Sequence, residues 1–414
     1  MKPADCPGLR VLVLFALLLA ASPALAAQSP TQSAPPPLRV EVNALLIPVV
    51  VHDTHDRILD NLAQSDFHVF DDGKERAITG FSVLRAAPNA ATDTPPAPRS
   101  LVLLFDDRHF SPAGLLDAQK AATQVLDSML GSEGRAVVLS FNGANSGFTA
   151  NRQALTQTIE SIKSHPTNLN DRTSCPDITY YVADQILNKH SDAQYQIELE
   201  RAETCSHRSS ATDSGYLTIL VREAANQALL AGDQDALTSL SFLRNVVHSM
   251  SGLPGQKNLI LISPGFLNFS DQAMYIESEI LSAAAQSGIV ISALDERGLV
   301  SGVMGANQSG TGSVYSDITG QSISNFSGDT FEGQDVMAEL AAGTGGNFLR
   351  GGNNLSQQLA DLAHGPSTTY LLEVSLKGVK ENGKFHRLKI KVDQSGARIQ
   401  ARSGYYAPKK EKKD

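Results

Sequence analysis

The chain has 414 residues, 42% of them hydrophobic and 19% charged, which is more than one ordinary domain needs and enough apolar content to bury cores. A formal charge of −9 excludes nucleic acid as a general partner, because that binding depends on neutralising phosphates with Lys and Arg. Charge is uneven, with 12 Lys/Arg against 5 Asp/Glu in residues 370–414, and the closing Lys409-Lys410-Glu411-Lys412-Lys413-Asp414 reads as a solvated tail over 409–414.

Residues 1–27 have the order of a secretory signal peptide. Lys2 and Arg10 precede an apolar run from Val11 to Ala21, and Ala24-Leu25-Ala26 offers a small-residue cleavage site before Ala27. That run is well short of the ~20 residues that span a bilayer. The mature chain is therefore expected to be exported, periplasmic or secreted, without a transmembrane segment. Cleavage removes Cys6 and leaves Cys175 and Cys205. In an oxidising compartment two thiols suggest one disulfide, which in the chain-entropy model contributes about 3–4 kcal/mol for a loop of this size. The paired Cys-x-x-Cys spacing of structural zinc sites is missing.

Residues 28–37, ending in Pro35-Pro36-Pro37, read as an extended linker. The N-terminal segment 38–88 follows, and it is strand-like. Leu38, Val40 and Val42 alternate with polar residues, Val49-Val50-Val51 is apolar throughout, and Asp71-Asp72-Gly73 signals a turn before Ile78, Phe81 and Val83. Pro48 demands an edge or a bulge. A second Pro-rich linker, 89–98, marks the clearest internal boundary.

Alternating strands and helices then occupy 99–365. Leu101 to Phe105 is a run apolar on both faces and ends in Asp106-Asp107; Ser111-Pro112 opens a helix reaching Leu130. Strands are expected at Ala136 to Phe141, a short one at Phe148-Thr149, then at Lys257 to Ser263 and Ile289 to Leu294. Helices are expected around Leu155, Ile159 and Ile162, around Ile280 to Ala285, and at Leu355–His364. This alternation gives an α/β fold with a doubly wound, mostly parallel, Rossmann-like sheet. Two insertions interrupt it. Residues 166–215 hold both cysteines and one predicted helix over residues 178–203; residues 298–333, rich in Gly, Ser and Asn, are expected to form a mobile loop beside the strand ends.

The C-terminal segment 366–408 returns to strands. Tyr370, Leu372, Val374 and Leu376 share one face, Asn382-Gly383 predicts a two-residue hairpin turn, and Leu388, Ile390 and Val392 share a face opposite Arg387, Lys389 and Lys391. Small isolated sheets rarely bury enough surface to stand alone. The simplest arrangement puts the N- and C-terminal segments into one β-sandwich with the α/β domain inserted between them; the alternative is two small β units docked separately.

Four stretches, taken in order, resemble the von Willebrand factor type A-related proteins typical of acidobacteria. They are Leu62-x-x-x-Asp66-Phe67-x-Val69-x-Asp71-Asp72-Gly73; the run Leu101 to Phe105 with Asp106-Asp107; Lys257 to Phe266 together with Leu340-Ala341-x-x-Thr344-Gly345-Gly346; and Phe385-His386-x-Leu388-x-Ile390-x-Val392 with Arg402-x-Gly404-Tyr405-Tyr406. The resemblance implies a type A-like domain used in binding, and in its adhesive form a divalent cation held by Asp-x-Ser-x-Ser, a Thr from a second loop and an Asp from a third. Here the motif reads Asp106-x-Arg108-x-Phe110, or one residue on, Asp107-x-His109-x-Ser111, and Pro264 stands at the third-loop position. The candidate metal set is thus Asp106, Ser111 and Thr173, with Thr167 as the alternative threonine, and it is degenerate. No cofactor is expected, a divalent cation being the one considered.

Ligands of such sheets sit outside the carboxyl ends of the strands. The candidate binding residues are therefore Asp106, Asp107, His109, Ser111, Ser263 and Asp295. The expected function is non-enzymatic: an exported binding, adhesion or scaffold protein whose partner is another protein or a cell-surface polymer. The alternative is a hydrolase-like enzyme using Asp106, Asp107 and His109, with Asp295 and Arg297 approaching from another strand end. A nucleophile elbow, a phosphate-binding loop and a dinucleotide fingerprint are all missing from the sequence.

Overall fold

The computed structural model describes residues 44–55, 57–85, 99–130, 134–165, 175–254, 256–297, 335–352, 354–364 and 366–407. The signal peptide, both linkers, Thr167, Thr173, the insertion 298–333 and the charged tail lie outside the described residues.

The chain enters through β1 (Ala44–His52), β2 (Phe67–Asp71), β3 (Lys74–Arg76) and β4 (Ile78–Arg85). It leaves through β10 (Thr368–Ser375), β11 (Phe385–Val392), β12 (Arg398–Gln400) and β13 (Gly404–Tyr406). The two groups interleave: one sheet runs β12-β1-β10-β4 and the other β13-β11-β2-β3. The inward faces share one core that includes Ile47, Val49, Val69, Leu372 and Leu388. Tyr370 is its keystone. Fully buried, it packs against Phe67 and Phe81 at 5.1 and 6.0 Å between ring centroids. Its hydroxyl donates to the Leu59 carbonyl at 2.8 Å and accepts from the Leu62 amide at 3.1 Å, so the phenol buries no unmet polar group.

Local chemistry explains the strand ends. Asp72 and Gly73 both have positive φ, 46° and 80°, and join β2 to β3 in the primed two-residue turn that suits the twist of a hairpin. Pro48 pairs with Leu371 of β10, while β12 reaches β1 only at 50–52. Its missing donor therefore falls where β1 is paired on one side alone. At Asn382-Gly383 the Lys384 N–H donates to Asn382 Oδ1 and Gly383 has a positive φ of 66°, but no two-residue hairpin closes there. β10 and β11 lie in different sheets, and nine residues between Ser375 and Phe385 are enough to step across the core.

Between β4 and β10 lies the α/β unit, with β5 (Arg99–Phe105), β6 (Arg135–Ser140), β7 (Gln256–Ile262), β8 (Ile289–Leu294) and the short β9 (Phe348–Leu349). All pair in parallel, in the order β6-β5-β7-β8-β9. Phe148-Thr149 forms no named strand; Thr149 makes a single antiparallel bridge to Ala136 at the β6 edge. Leu101, Leu103 and Phe105 face a core built with α1 (Pro112–Leu130), α2 (Arg152–Ser161) and the helix Leu355–His364. Val102 and Leu104 face the other way, towards α5 (Ser210–Ser251), α6 (Asp271–Ser287) and a helix over residues 335–344. The sheet is thus covered on both faces, as its continuous apolar strands require.

The first insertion differs from its predicted form. In place of one helix over residues 178–203 there are two, α3 (Tyr180–Leu187) and α4 (Asp192–Ser206), because Ser191 caps the second by accepting from the Gln194 amide. Residue 215 is no boundary either, since it lies inside α5. Beyond a kink at Asp213, where φ and ψ leave the helical region, α5 buries Leu217, Val221, Ala225 and Ala228 in the insertion's own core, then Ala236, Leu240, Leu243 and Val247 against the sheet. The sequence reading names no element between 215 and 257, although this spacing of three and four is helical. Cys175 and Cys205 form a disulfide that ties the entry of the insertion to the end of α4.

Candidate functional site at the sheet switch point

From β5 the sheet grows in two directions, to β6 on one side and to β7 on the other. This is a topological switch point, where the connecting helices diverge and leave a crevice at the carboxyl ends of the strands. Asp106 follows β5 directly and Ser263 follows β7, so backbone topology alone puts them side by side. Ser263 Oγ donates to Asp106 Oδ2 at 2.5 Å and accepts from the Gly265 amide at 2.9 Å.

The turn 106–110 brings His109 back over Asp106. Its Nδ1 lies 2.7 and 2.8 Å from the two Asp106 carboxylate oxygens, and its amide donates to Oδ1 at 3.2 Å. On the far side of the ring, Nε2 is 2.5 Å from Asp235 Oδ2. Asp235 comes from the middle of α5, and Arg108 grips it through Nη2 at 2.5 Å and Nε at 3.2 Å. Phe266 stacks on the imidazole with 5.5 Å between ring centroids.

Both imidazole nitrogens face carboxylates, so both must donate, and the ring is an imidazolium. Burial opposes that charge, but the Asp106 carboxylate, its hydrogen bond and then the Asp235 contacts outweigh burial and raise the His109 pKa to about 10. Asp235 shows the reciprocal effect. Burial would raise its pKa, yet hydrogen bonds and charge from His109 and Arg108 hold it below the ordinary carboxylate value.

The remaining candidates lie around this core in different roles. Asp107 is buried, and its Oδ1 accepts from the Asn142 amide at 3.0 Å, tying the β5 end to the β6 end. Asp295, after β8, is clasped by Arg297 through Nε at 3.0 Å and Nη2 at 2.9 Å. Ser111 is exposed and caps α1, its Oγ accepting from the Gly114 amide at 3.0 Å. Asp106, Asp107, Ser263 and Asp295 are each at most 2% exposed, so they form a floor; Ser111 and the edge of the Arg108-His109 pair are what face outwards.

Asp235 and Glu296 are the residues that sequence reasoning missed. Asp235 carries no local signal, being one acid on a long helix 126 residues from His109. Glu296 sits beside Asp295 at the end of β8, so the doublet was there to be read. It is buried next to Ser111 and Gly114, and desolvation, then the charge of Asp295, raise its pKa to about 8.

A divalent cation does not fit this donor set. Asp106 already receives an imidazolium, a hydroxyl and an amide, and Asp235 receives a guanidinium and the same imidazolium. Pro264 offers no side-chain ligand. Acid/base catalysis fits as poorly. Ser263 donates to a carboxylate instead of a histidine, and His109, carrying its proton at neutral pH, is no general base.

A search of family models and of curated proteins gives no match for this chain. Among solved structures, three N-terminal domains of the type V pili tip protein Mfa5 from Porphyromonas gingivalis align over 46% of this chain and 27% of their own, at 13% identity and a TM-score of 0.21. The pilus adhesin SpaC from Lactobacillus rhamnosus GG, in an open conformation, aligns over 83% and 48% at 10% identity and a TM-score of 0.25. Proximal thread matrix protein 1 from the mussel byssus aligns over 66% and 97% at 9% identity and a TM-score of 0.14. The chain thus spans about a quarter of the first protein's length and about half of the second's. At these TM-scores the likenesses carry no argument, and the chain is characterised by what its own residues form: a doubly wound parallel sheet with a charge-saturated switch point, next to a two-sheet β unit.

Proposed function

We propose that this is an exported, non-enzymatic binding protein, a von Willebrand factor type A-like domain with a degenerate metal site set beside a β-sandwich. It holds a protein or a surface polymer at the strand-end face, without a metal ion. One observation carries this reading: at the switch point, where such sheets receive ligands, the Asp106–His109–Asp235 chain spends its charged groups on one another. That arrangement supports a rigid recognition surface over a reaction centre. The Cys175–Cys205 disulfide supports export to an oxidising compartment.

The test is capture from a native cell envelope by the immobilised mature chain, with and without chelator. The same partner is expected in both arms, and capture should be lost in Leu116→Asp. Leu116 is 50% exposed on the first turns of α1, beyond Ser111, so this variant should melt like the parent chain. Capture that disappears with chelator would contradict the metal-free reading. Turnover of a captured polymer that Asp106→Asn abolishes would favour an enzyme.

A further inference from the structure

The strand β11 turns a row of cations outward. Alternate residues of a strand share a face, so Arg387, Lys389 and Lys391 stand about 7 Å apart, all exposed, while Leu388 and Ile390 turn to the core. In a chain of net charge −9, none of the three forms an ion pair among the described residues. The acids that accompany the row are held by other groups. Glu75 and Asp393 lie 2.9 and 3.2 Å from the two ring nitrogens of His68, and Asp72 accepts from the Arg387 amide at 2.9 Å. Aromatic rings follow the same face. Lys391 Nζ stands 5.0 Å from the centroid of the Phe70 ring. At the other end of the row Phe385, 48% exposed, lies in the space that a side chain at Gly404 would take. Tyr406 packs edge-on against it at 5.3 Å, and the exposed Tyr275 packs against Tyr406 at 5.7 Å.

We propose that this face binds an acidic polysaccharide laid along β11, with Arg387, Lys389 and Lys391 taking its carboxylates and the Phe385, Tyr406 and Tyr275 rings stacking on its sugars. Charge complementarity selects a polyanion, because a row of fixed cations suits a linear polymer of repeating negative charge, and a guanidinium grips a carboxylate through two parallel hydrogen bonds. The rings select a sugar. The apolar C–H face of a pyranose stacks on an aromatic face and leaves its hydroxyls in water. Nucleic acid is bound by the same two devices, but the export read from the Cys175–Cys205 disulfide favours a polysaccharide. This surface belongs to the sandwich. The proposal therefore goes beyond the strand-end reading and shares with it only the export.

The experiment is calorimetric titration of the mature chain with polygalacturonate, beside its neutral methyl ester, oligo(dT) and phosphatidylglycerol vesicles. The acid polymer should bind, and the other three should bind at least about tenfold more weakly. Arg387→Gln/Lys389→Gln/Lys391→Gln should weaken the acid polymer by about tenfold or more, and so should a few hundred millimolar salt, which screens exposed charge. Phe385→Ala should weaken it several-fold and leave the salt dependence unchanged. Substitutions at such exposed positions leave the melting temperature near that of the parent chain. If the triple variant melts well below it, Lys389→Glu, a single reversal of charge, takes its place. Polygalacturonate that does not bind, binding undiminished in the charge variant or in Phe385→Ala, or oligo(dT), vesicles or the ester bound as tightly, each overturns the proposal. Leu116→Asp should bind polygalacturonate like the parent chain, so failure of the strand-end reading and failure of this one are distinguishable.

Discussion

His109 makes the site's chemistry testable through pH. Its pKa is about 10 when folded against an ordinary 6.5, so its contribution to stability is complete below pH 6.5 and is lost as pH rises through about 10. Glu277 and Glu296, raised by burial from 4.5 to about 8, act in the same direction: the folded chain keeps protons that the unfolded chain releases. Asp235 opposes them only in acid, because a lowered carboxylate pKa costs stability as pH falls through it. The melting temperature should therefore peak in mildly acidic solution and decline towards pH 10, and His109→Gln should flatten the decline above pH 6.5. A melting temperature that climbs into alkali would contradict this assignment. Asp235→Ala, which removes the buried carboxylate that His109 Nε2 and Arg108 share, should cost about 3–5 kcal/mol in denaturant titration.

At the scale of elements, α5 does most to connect the parts. Its Gly232 faces the Tyr180 ring so closely that an added Cβ would lie 2.1 Å from Cγ of that ring, and Tyr180 in turn donates to Asp233 and packs at a tilt against Phe269, 4.9 Å between ring centroids. In an open helix, Gly→Ala gains about 1 kcal/mol. Here Gly232→Ala should instead destabilise by about 1–3 kcal/mol through overpacking, and Tyr180→Ala in the same chain should remove most of that penalty. The disulfide belongs to this scale too. Cys175→Ala/Cys205→Ala should cost about 3 kcal/mol. Hydrogen exchange should rise first in α3 and α4 while β5 and β7 stay protected, since the insertion has its own small core.

For the whole molecule, both ends of the chain are needed for either sheet of the sandwich. β10 lies between β1 and β4, and β11 lies between β2 and β13. A chain ending at His364 would leave Ile47, Val49 and Phe67 without Tyr370 and Leu372 across from them. Limited proteolysis should then cut within 44–85; protection equal to the full chain would contradict the shared core. The sandwich is held to the α/β unit by buried Arg402, whose Nη2 donates to Ser278 at 3.2 Å and Nη1 to Ser282 at 3.3 Å on α6, while Glu339 accepts from the Ser403 amide at 2.9 Å. Burial lowers the Arg402 pKa to about 10, with Glu339 and Glu277 opposing that loss of charge. Arg402 is thus a charged clamp at the junction.

The sequence by itself determined what depends on neighbours along the chain. Leu101 to Phe105 could only be a strand covered on both faces, Ser111-Pro112 could start a helix, and Asp72-Gly73 could make a primed turn, because period, capping and φ preference are local properties. Asp106, His109 and Ser263 were legible as candidates for the same reason, each standing just past a buried strand. The tertiary structure decided what depends on distance. It sent β11 to the sheet opposite β10 because a connection of nine residues can cross the core as readily as turn back. It carried Asp235 on α5 to the imidazole, which turned three suspected ligands into a self-paired ionic chain. Pairing of that kind is set by which backbones pack together, and that is fixed only when the whole core is assembled.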